Sequence, residues 1–361
     1  MAAAANTAAA ARRPPIFFPP SALVFTVHMP VTRLEIVTRF ARHRLAKLHP
    51  FEIQAVLQNA CNLRCSYCSC PDLPSATLST DQWIECIGRF REAGTLRIKW
   101  QGGEPTTRPD FATLCTAVQA HGIICAVVTN GIVLARKPGM LKHLDEVVVS
   151  LDAATPEMHD RHRGRGTHAL AVQAIDQALA HGCRVFVNMV VTRDTVNEVE
   201  DMLEFCETRG IGMNAQPAMF SRSYQNPAAS HLGLSVEEEH ALERRLARWR
   251  REGKPLMFSA QVYEKAAEWP DYTSPTTVTG GKSSCMAGNY YLHIEPNGDV
   301  FPCVLQGSNF VPRNIVKDGF ETALLNAQDH QCEDCFLPYL NERKALFALR
   351  PSAVLAWMRR G

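Results

Sequence analysis

The sequence predicts an α/β protein, a partial (β/α)6 barrel over residues 51–217 followed by a small α+β extension over residues 283–361. Three observations carry this expectation. From Pro50 to Pro217, short apolar segments alternate with longer amphipathic ones, the pattern of repeated β-α units around a parallel sheet. Residues of unusual chemistry recur just after the apolar segments. Beyond residue 282, "YYLHIEPNGDVFPC" places two alternating runs around Asn297-Gly298, a hairpin signal.

The predicted strands are Glu52–Leu57, Leu96–Trp100, Ile123–Val128, Glu146–Ser150, Arg184–Val191 and Gly212–Pro217. Helical periodicity lies between them at Thr80–Arg91, Pro109–His121, His168–His181 and Val196–Thr208. Residues 218–282 read as a polar linker with one charged helix, Ser235–Arg251, and a Thr/Pro/Gly-rich stretch. A last amphipathic helix is expected over Asn341–Arg360, interrupted at Pro351. No internal repeat is visible beyond the β-α unit.

The first fifty residues form a basic extension in which seven Arg or Lys face one acid, Glu35. Its Ala-rich start reads first as a frayed terminus, with an organelle targeting segment as the lesser alternative. Over residues 31–48, Leu34, Val37, Ala41 and Leu45 recur at helical spacing. That helix is expected either to pack on the following domain with its arginines solvated, or to make peripheral membrane contact.

Length and composition narrow the function classes. A chain of 361 residues with 46% hydrophobic content can bury a substantial core. Lys+Arg 38 against Asp+Glu 36 points to no polyanionic partner, and no nucleic acid is predicted. Thirteen cysteines, an odd number without a secretory signal, suit a reducing compartment such as the cytoplasm. The longest apolar stretch, residues 16–29, contains Pro19 and Pro20 and is too short to span a bilayer.

In parallel α/β folds, ligands bind where the loops after the strands converge. "CNLRCSYC" follows the first predicted strand, "QGGEP" the second, "TNG" the third, "SLD" ends the fourth and "QP" closes the sixth. Cys61, Cys65 and Cys68 have the spacing C-x3-C-x2-C, which lets three thiolates serve one zinc or iron–sulfur centre. A closed zinc site would also enlist Cys70; three ligands leave a position open for chemistry. Cys86, Cys115, Cys125, Cys183 and Cys206 fall in predicted elements and read as core, as does Cys70 beneath its loop.

The cysteine segment resembles the cluster loop of the radical S-adenosylmethionine (SAM) superfamily, and the likeness continues along the predicted rim. The resemblance implies a TIM-like partial barrel and a [4Fe-4S] cluster on Cys61, Cys65 and Cys68 whose fourth iron chelates SAM. It implies that Gly102, Gly103, Glu104 and Pro105 hold the methionyl ammonium. Thr129 and Asn130 would lie among the SAM contacts, Ser150 and Asp152 on the ribose side, Arg163 near the SAM carboxylate and Tyr67 beside adenine.

Cys285, Cys303, Cys332 and Cys335 form a second set, suited by composition to a fully ligated iron–sulfur cluster or to zinc. "CMAGNYYLHIEPNGDVFPC" resembles the start of SPASM and twitch extensions, which implies an auxiliary [4Fe-4S] cluster of the shorter twitch form.

The resemblance implies that a reduced cluster cleaves SAM to a 5′-deoxyadenosyl radical, which abstracts hydrogen from the substrate. With its auxiliary irons fully ligated, the expected outcome is a two-electron oxidation or dehydrogenation of a small-molecule metabolite. An external one-electron reductant such as flavodoxin or ferredoxin is implied. Ribosomal-peptide modification is an alternative, weighed down by a front extension short for a peptide-recognition domain. A lipid or isoprenoid substrate is another, suggested by the basic amphipathic extension. A non-catalytic zinc scaffold would explain the thiols and leave the glycine–glutamate loop unexplained. No general base is chosen among rim residues such as Gln101, Asn188, Gln216 and His293.

Overall fold

The computed structural model describes residues 33–46, 50–74, 76–220, 226–270, 272, 276–277, 285–306 and 310–358. The Ala-rich start, the apolar stretch 16–29 and most of the Thr/Pro/Gly-rich run lie outside the described residues. Helix α1 (Arg33–Ala46) precedes the first unit, β1 (Glu52–Gln58) and α2 (Thr80–Glu92). There follow β2 (Arg97–Gly102), α3 (Phe111–Ala120), β3 (Ile124–Thr129), α4 (Ile132–Arg136), β4 (Glu146–Ser150), α5 (Pro156–Arg163) and α6 (Thr167–His181). The last units are β5 (Arg184–Val191), α7 (Val199–Arg209) and β6 (Gly212–Pro217). Helices α8 (Val236–Arg251) and α9 (Ala260–Ala267) lead to short β7 (Thr276–Thr277). The chain then forms β8 (Tyr291–Ile294), β9 (Asp299–Phe301), β10 (Arg313–Asn314), α10 (Phe320–Gln328), β11 (Asp334–Cys335), α11 (Pro338–Phe347) and α12 (Pro351–Met358).

Nine strands form one open sheet in the order β10-β9-β8-β1-β2-β3-β4-β5-β6. β1 to β6 run parallel, as the α/β reading requires. β3 and β4 are almost wholly buried, which explains their unbroken apolar runs. β5 alternates instead, sending Val185, Val187, Met189 and Val191 into the core while Asn188 and Val190 line the barrel cavity. Ser79 and Gln82 form a capping box at the start of α2, and Ser235 and Glu238 form another at α8.

The predicted hairpin is present, with β8 antiparallel to β9, yet it does not stand apart from the barrel. β8 pairs parallel with β1, so the C-terminal extension continues the same sheet. Helix α9, inside the stretch read as linker, packs on α8 through Val262, Tyr263 and Ala266.

Two expectations for α1 are corrected. Leu34, Val37 and Ala41, read as its packing stripe, are exposed. The helix packs through Ile36 and Phe40, whose ring stacks on Phe347 at 4.9 Å, while Arg39, read as solvated, is buried and donates to the Thr95 carbonyl. An aromatic stacking surface and a backbone acceptor outbid a stripe of smaller aliphatics. Among the described residues no helix is long and apolar enough to cross a membrane.

The floor of the barrel is charged. Glu52, Arg97, Lys99, Glu146 and Arg184 point inward from the starts of β1, β2, β4 and β5, and Arg343 reaches in from α11. Arg184 donates to Glu146 at 2.6 Å, and Arg97 bridges Glu52 and Glu146 at 3.5 and 3.4 Å. These groups close the end of the barrel opposite the functional loops.

Candidate active site

The end of β2 presses against the loop that leaves β1. A β-bulge between Val56 and Gln58 sets Gln58 opposite Gly102, and the Gly103 and Glu104 amides donate to the Gln58 and Ala60 carbonyls at 2.8 and 2.9 Å. A Cβ on Gly102 would lie 2.2 Å from the Gln58 carbonyl oxygen, and one on Gly103 2.2 Å from that of Asn59. Both glycines are therefore required by the protein's own backbone, which carries the cysteine loop.

That loop holds Cys61, Cys65 and Cys68 half-buried on the wall of a cavity of about 340 Å³ at the carboxyl ends of the strands. Leu63 N–H donates to Cys61 Sγ and Cys70 N–H to Cys68 Sγ, each at 3.4 Å. The loop is braced from outside: Ser66 N–H donates to the His162 carbonyl at 2.9 Å, and Asn226 N–H to the Tyr67 carbonyl at 3.0 Å. Burial pushes the Cys61 and Cys65 thiols up, Cys65 to about 11. Cys68 is pulled down to about 6, chiefly by the neighbouring Cys70, whose side chain and backbone N–H both favour the thiolate. Cys70 is buried as expected; its backbone N–H donates to Cys68 Sγ and its thiol to Asn59 Oδ1 at 3.7 Å.

Among the described residues no group of His, Cys, Asp or Glu is arranged to hold a single metal ion. In a cubane each thiolate meets a different iron, so its ligands stand apart. Three thiols on one loop, two of them receiving backbone N–H bonds, fit such a group.

Two carboxylates read as SAM contacts face the protein. Glu104 is fully buried; its Oε1 accepts from Thr106 N–H, Thr106 Oγ1 and Thr129 Oγ1, and its Oε2 from Asn130 N–H at 2.7 Å. Asp152 is likewise buried, accepting from Tyr67 Oη at 2.5 Å, Arg163 Nε at 2.6 Å, Arg163 Nη2 at 3.0 Å and Val190 N–H at 3.0 Å. Both are held by the protein's own donors and neither lines the cavity, and Glu104 Oε2, with one bond, keeps a second acceptor site. Burial pushes both acids up; for Asp152 the Arg163 guanidinium outweighs that and leaves it below the usual range, while Glu104 stays raised.

Pro105 is buried behind Glu104. Gly102, Gly103, Tyr67, Thr129, Asn130, Ser150 and Arg163 do line the cavity. Arg163 sits at the end of α5 with its guanidinium 5.7 Å from the centroid of the Tyr67 ring. Sequence reading missed His162 and His159; the latter accepts from Asp152 N–H at 3.2 Å and is pushed down to about 4, chiefly by burial. Both belong to "HDRHRGRG", where only the arginine drew notice.

The second thiol set also comes together. Cys285 is half-buried, while Cys303, Cys332 and Cys335 are buried. The Cys332 thiol donates to Cys285, pulling it to about 7 while Cys332 rises, and burial raises Cys335. Asn341 Nδ2 donates to the Cys335 carbonyl at 2.7 Å, tying this corner to α11. Donor type and seclusion fit a thiolate-bound group here too.

A profile described as the Radical SAM superfamily matches residues 55–206. The chain is 27% identical over 282 residues to "Mycofactocin maturase MftC" of Mycobacterium ulcerans (strain Agy99), covering 75% of this chain and 73% of that protein. It is 26% identical over 307 residues to "PqqA peptide cyclase" of Ruegeria pomeroyi, covering 79% of each. Its fold is similar to that of Streptococcus suis SuiB, solved with the precursor peptide SuiA, with a TM-score of 0.58 and 16% identity over 86% of this chain and 77% of that one.

Proposed function

The chain belongs to the radical SAM superfamily, whose members use a [4Fe-4S] cluster and SAM, and from that premise we propose that it oxidatively modifies a ribosomally made peptide. The small metabolite expected from the sequence gives way to its alternative, because two relatives spanning about three quarters of the chain are named as a maturase and a peptide cyclase. The observation that carries the reading is the cavity itself: it is open, about 340 Å³, and runs from the cysteine loop to α8 and to Phe336 beside the second thiol set. A peptide side chain can enter it without a separate recognition domain.

When bound, the first cluster supplies the electron that cleaves SAM and so the hydrogen-abstracting radical. Cys61, Cys65 and Cys68 would hold that cluster. Gly102, Gly103, Thr129, Asn130 and Ser150 would shape the SAM pocket, with Tyr67 against adenine and Arg163 on the carboxylate. Glu104 would meet the methionyl ammonium through its less-bonded Oε2, and Asp152 would aim Tyr67 and Arg163 on the ribose side. Cys285, Cys303, Cys332 and Cys335 would ligate a second cluster of the twitch type, able to take the second electron of the oxidation. The first electron is supplied from outside, by a reductant such as flavodoxin or ferredoxin.

The test uses anaerobically reconstituted protein with a short peptide encoded beside its gene. Wild type should carry about eight iron per chain and convert the peptide to a product two hydrogens lighter. Cys332→Ala/Cys335→Ala should retain about four iron and release deoxyadenosine without that product. Unaltered product formation by the double variant removes the electron-accepting role, and wild type inert toward every such peptide removes the peptide.

A further inference from the structure

Helix α8 carries two acids that no part of the reading above employs. Glu239 and Glu243 stand one turn apart on its inner face, 7% and 1% exposed. The Oε2 of each has no hydrogen-bond partner among the described residues. Glu243 lines the large cavity, as do Asn214, Gln216, Met257 and Phe258.

The surrounding groups do not relieve these acids. Tyr272 faces both but donates its hydroxyl to the Ala266 carbonyl at 2.6 Å. The His240 ring, beside Tyr272, bonds the Trp269 carbonyl at 2.7 Å, and Arg244 acts on Tyr272 only at a distance. Burial pushes Glu239 up to about 8, and burial together with Glu239 pushes Glu243 well above the ordinary carboxyl value. A buried carboxyl without a donor is expensive, and two adjacent ones more so. A fold that keeps this pair with Glu243 on an open cavity gains if a donor arrives from outside.

We propose that Glu243, backed by Glu239, is a recognition site for a cationic side chain, an ammonium or guanidinium, of the substrate. The proposal rests on the peptide reading and deepens it by naming the chemistry of the residue that enters. One carboxylate ionises to meet the positive charge and the other keeps its proton, so the pair with its guest carries no net charge. Met257 and Phe258 offer apolar surface to the aliphatic stem of a lysine or arginine.

The test uses n-butylguanidinium and its neutral isostere n-butylurea, titrated calorimetrically into the reconstituted holoenzyme in buffers of different ionisation enthalpy. Wild type should bind the guanidinium at least about tenfold more tightly, the margin of one hydrogen bond to a charged group. Binding at neutral pH should release close to one proton for the guanidinium and none for the urea. Glu243→Gln should erase the preference and the proton release while leaving urea binding as it was.

Equal binding of the two probes by wild type, or guanidinium binding without proton release, overturns the site even if Glu243→Gln fails to fold. The probes need no peptide turnover, so the outcomes separate. A failed site with a modified peptide removes this inference alone, and a working site without any modified peptide removes the peptide reading alone.

Discussion

Arg343 on α11 and Glu52 on β1, 291 residues apart, meet at the barrel floor, where Nε and Nη2 lie 3.0 and 2.9 Å from a single carboxylate oxygen. The C-terminal helix is thereby anchored to the first strand by a buried pair, with Arg97 and Lys99 on the other oxygen of Glu52. Arg343→Met should cost about 3–5 kcal/mol in denaturant unfolding, because it leaves a buried carboxylate short of a partner. Glu52→Gln/Arg343→Met should regain only part of that loss, since Arg97 and Lys99 also lean on Glu52.

The same floor sets an acid limit. Burial pushes Glu52 and Glu146 up, but Arg343, Arg97 and Lys99 outweigh it at Glu52, and Arg97 and Arg184 hold Glu146 at about 2 against an ordinary 4.5. A folded-state value below the unfolded one stabilises fully above pH 4.5 and is lost as pH falls toward about 2. Wild type should therefore lose stability in that window faster than Glu146→Gln when unfolding free energies are followed side by side. Parallel curves would remove Glu146 from the account.

At the rim, Arg163 is aimed by its two bonds to Asp152. Arg163→Met should weaken SAM binding at least about tenfold in anaerobic equilibrium dialysis, with iron content unchanged. Asp152→Asn should weaken it less, because the guanidinium keeps its charge and loses only its aim. An unchanged dissociation constant in Arg163→Met would place that side chain away from the carboxylate.

Gly103→Ala pushes a methyl group to 2.2 Å from the Asn59 carbonyl oxygen and 2.3 Å from that of Ala60. The backbone ahead of Cys61 has to move. Iron should fall by about four per chain, the content of one cubane, while the C-terminal thiols keep theirs. Iron analysis with electron paramagnetic resonance of the reduced protein checks this; full loading would show that the loop tolerates the shift.

Much of this was legible in the sequence, for local reasons. Glu146–Ser150, Arg184–Val191 and Gly212–Pro217 match the strands to the residue, since each is a short segment bounded by the loop and helix signals of its neighbours. The cysteine loop and the glycine pair after β2 were legible because their spacing is contiguous. What stayed hidden depends on distant chain. The Asn297-Gly298 turn announces a hairpin, but nothing near it says that β8 lies along β1. Glu52, Arg97, Glu146 and Arg184 look like ordinary strand-end charges until Arg343 arrives from α11. A motif names Glu104 and Asp152, but only the fold shows which of the protein's own donors surround them. Glu243 sits in a helix read only as a charged part of a polar linker, and the fold turns it inward.

The place of β8 beside β1 also governs how the chain can be divided. A fragment stopping near residue 282 would strip β1 of a neighbour and leave its backbone donors and acceptors as a raw margin, open to sticking between copies. The front and rear thiol regions are thus stitched into one fabric, and attempts to express either as a free-standing module work against the weave.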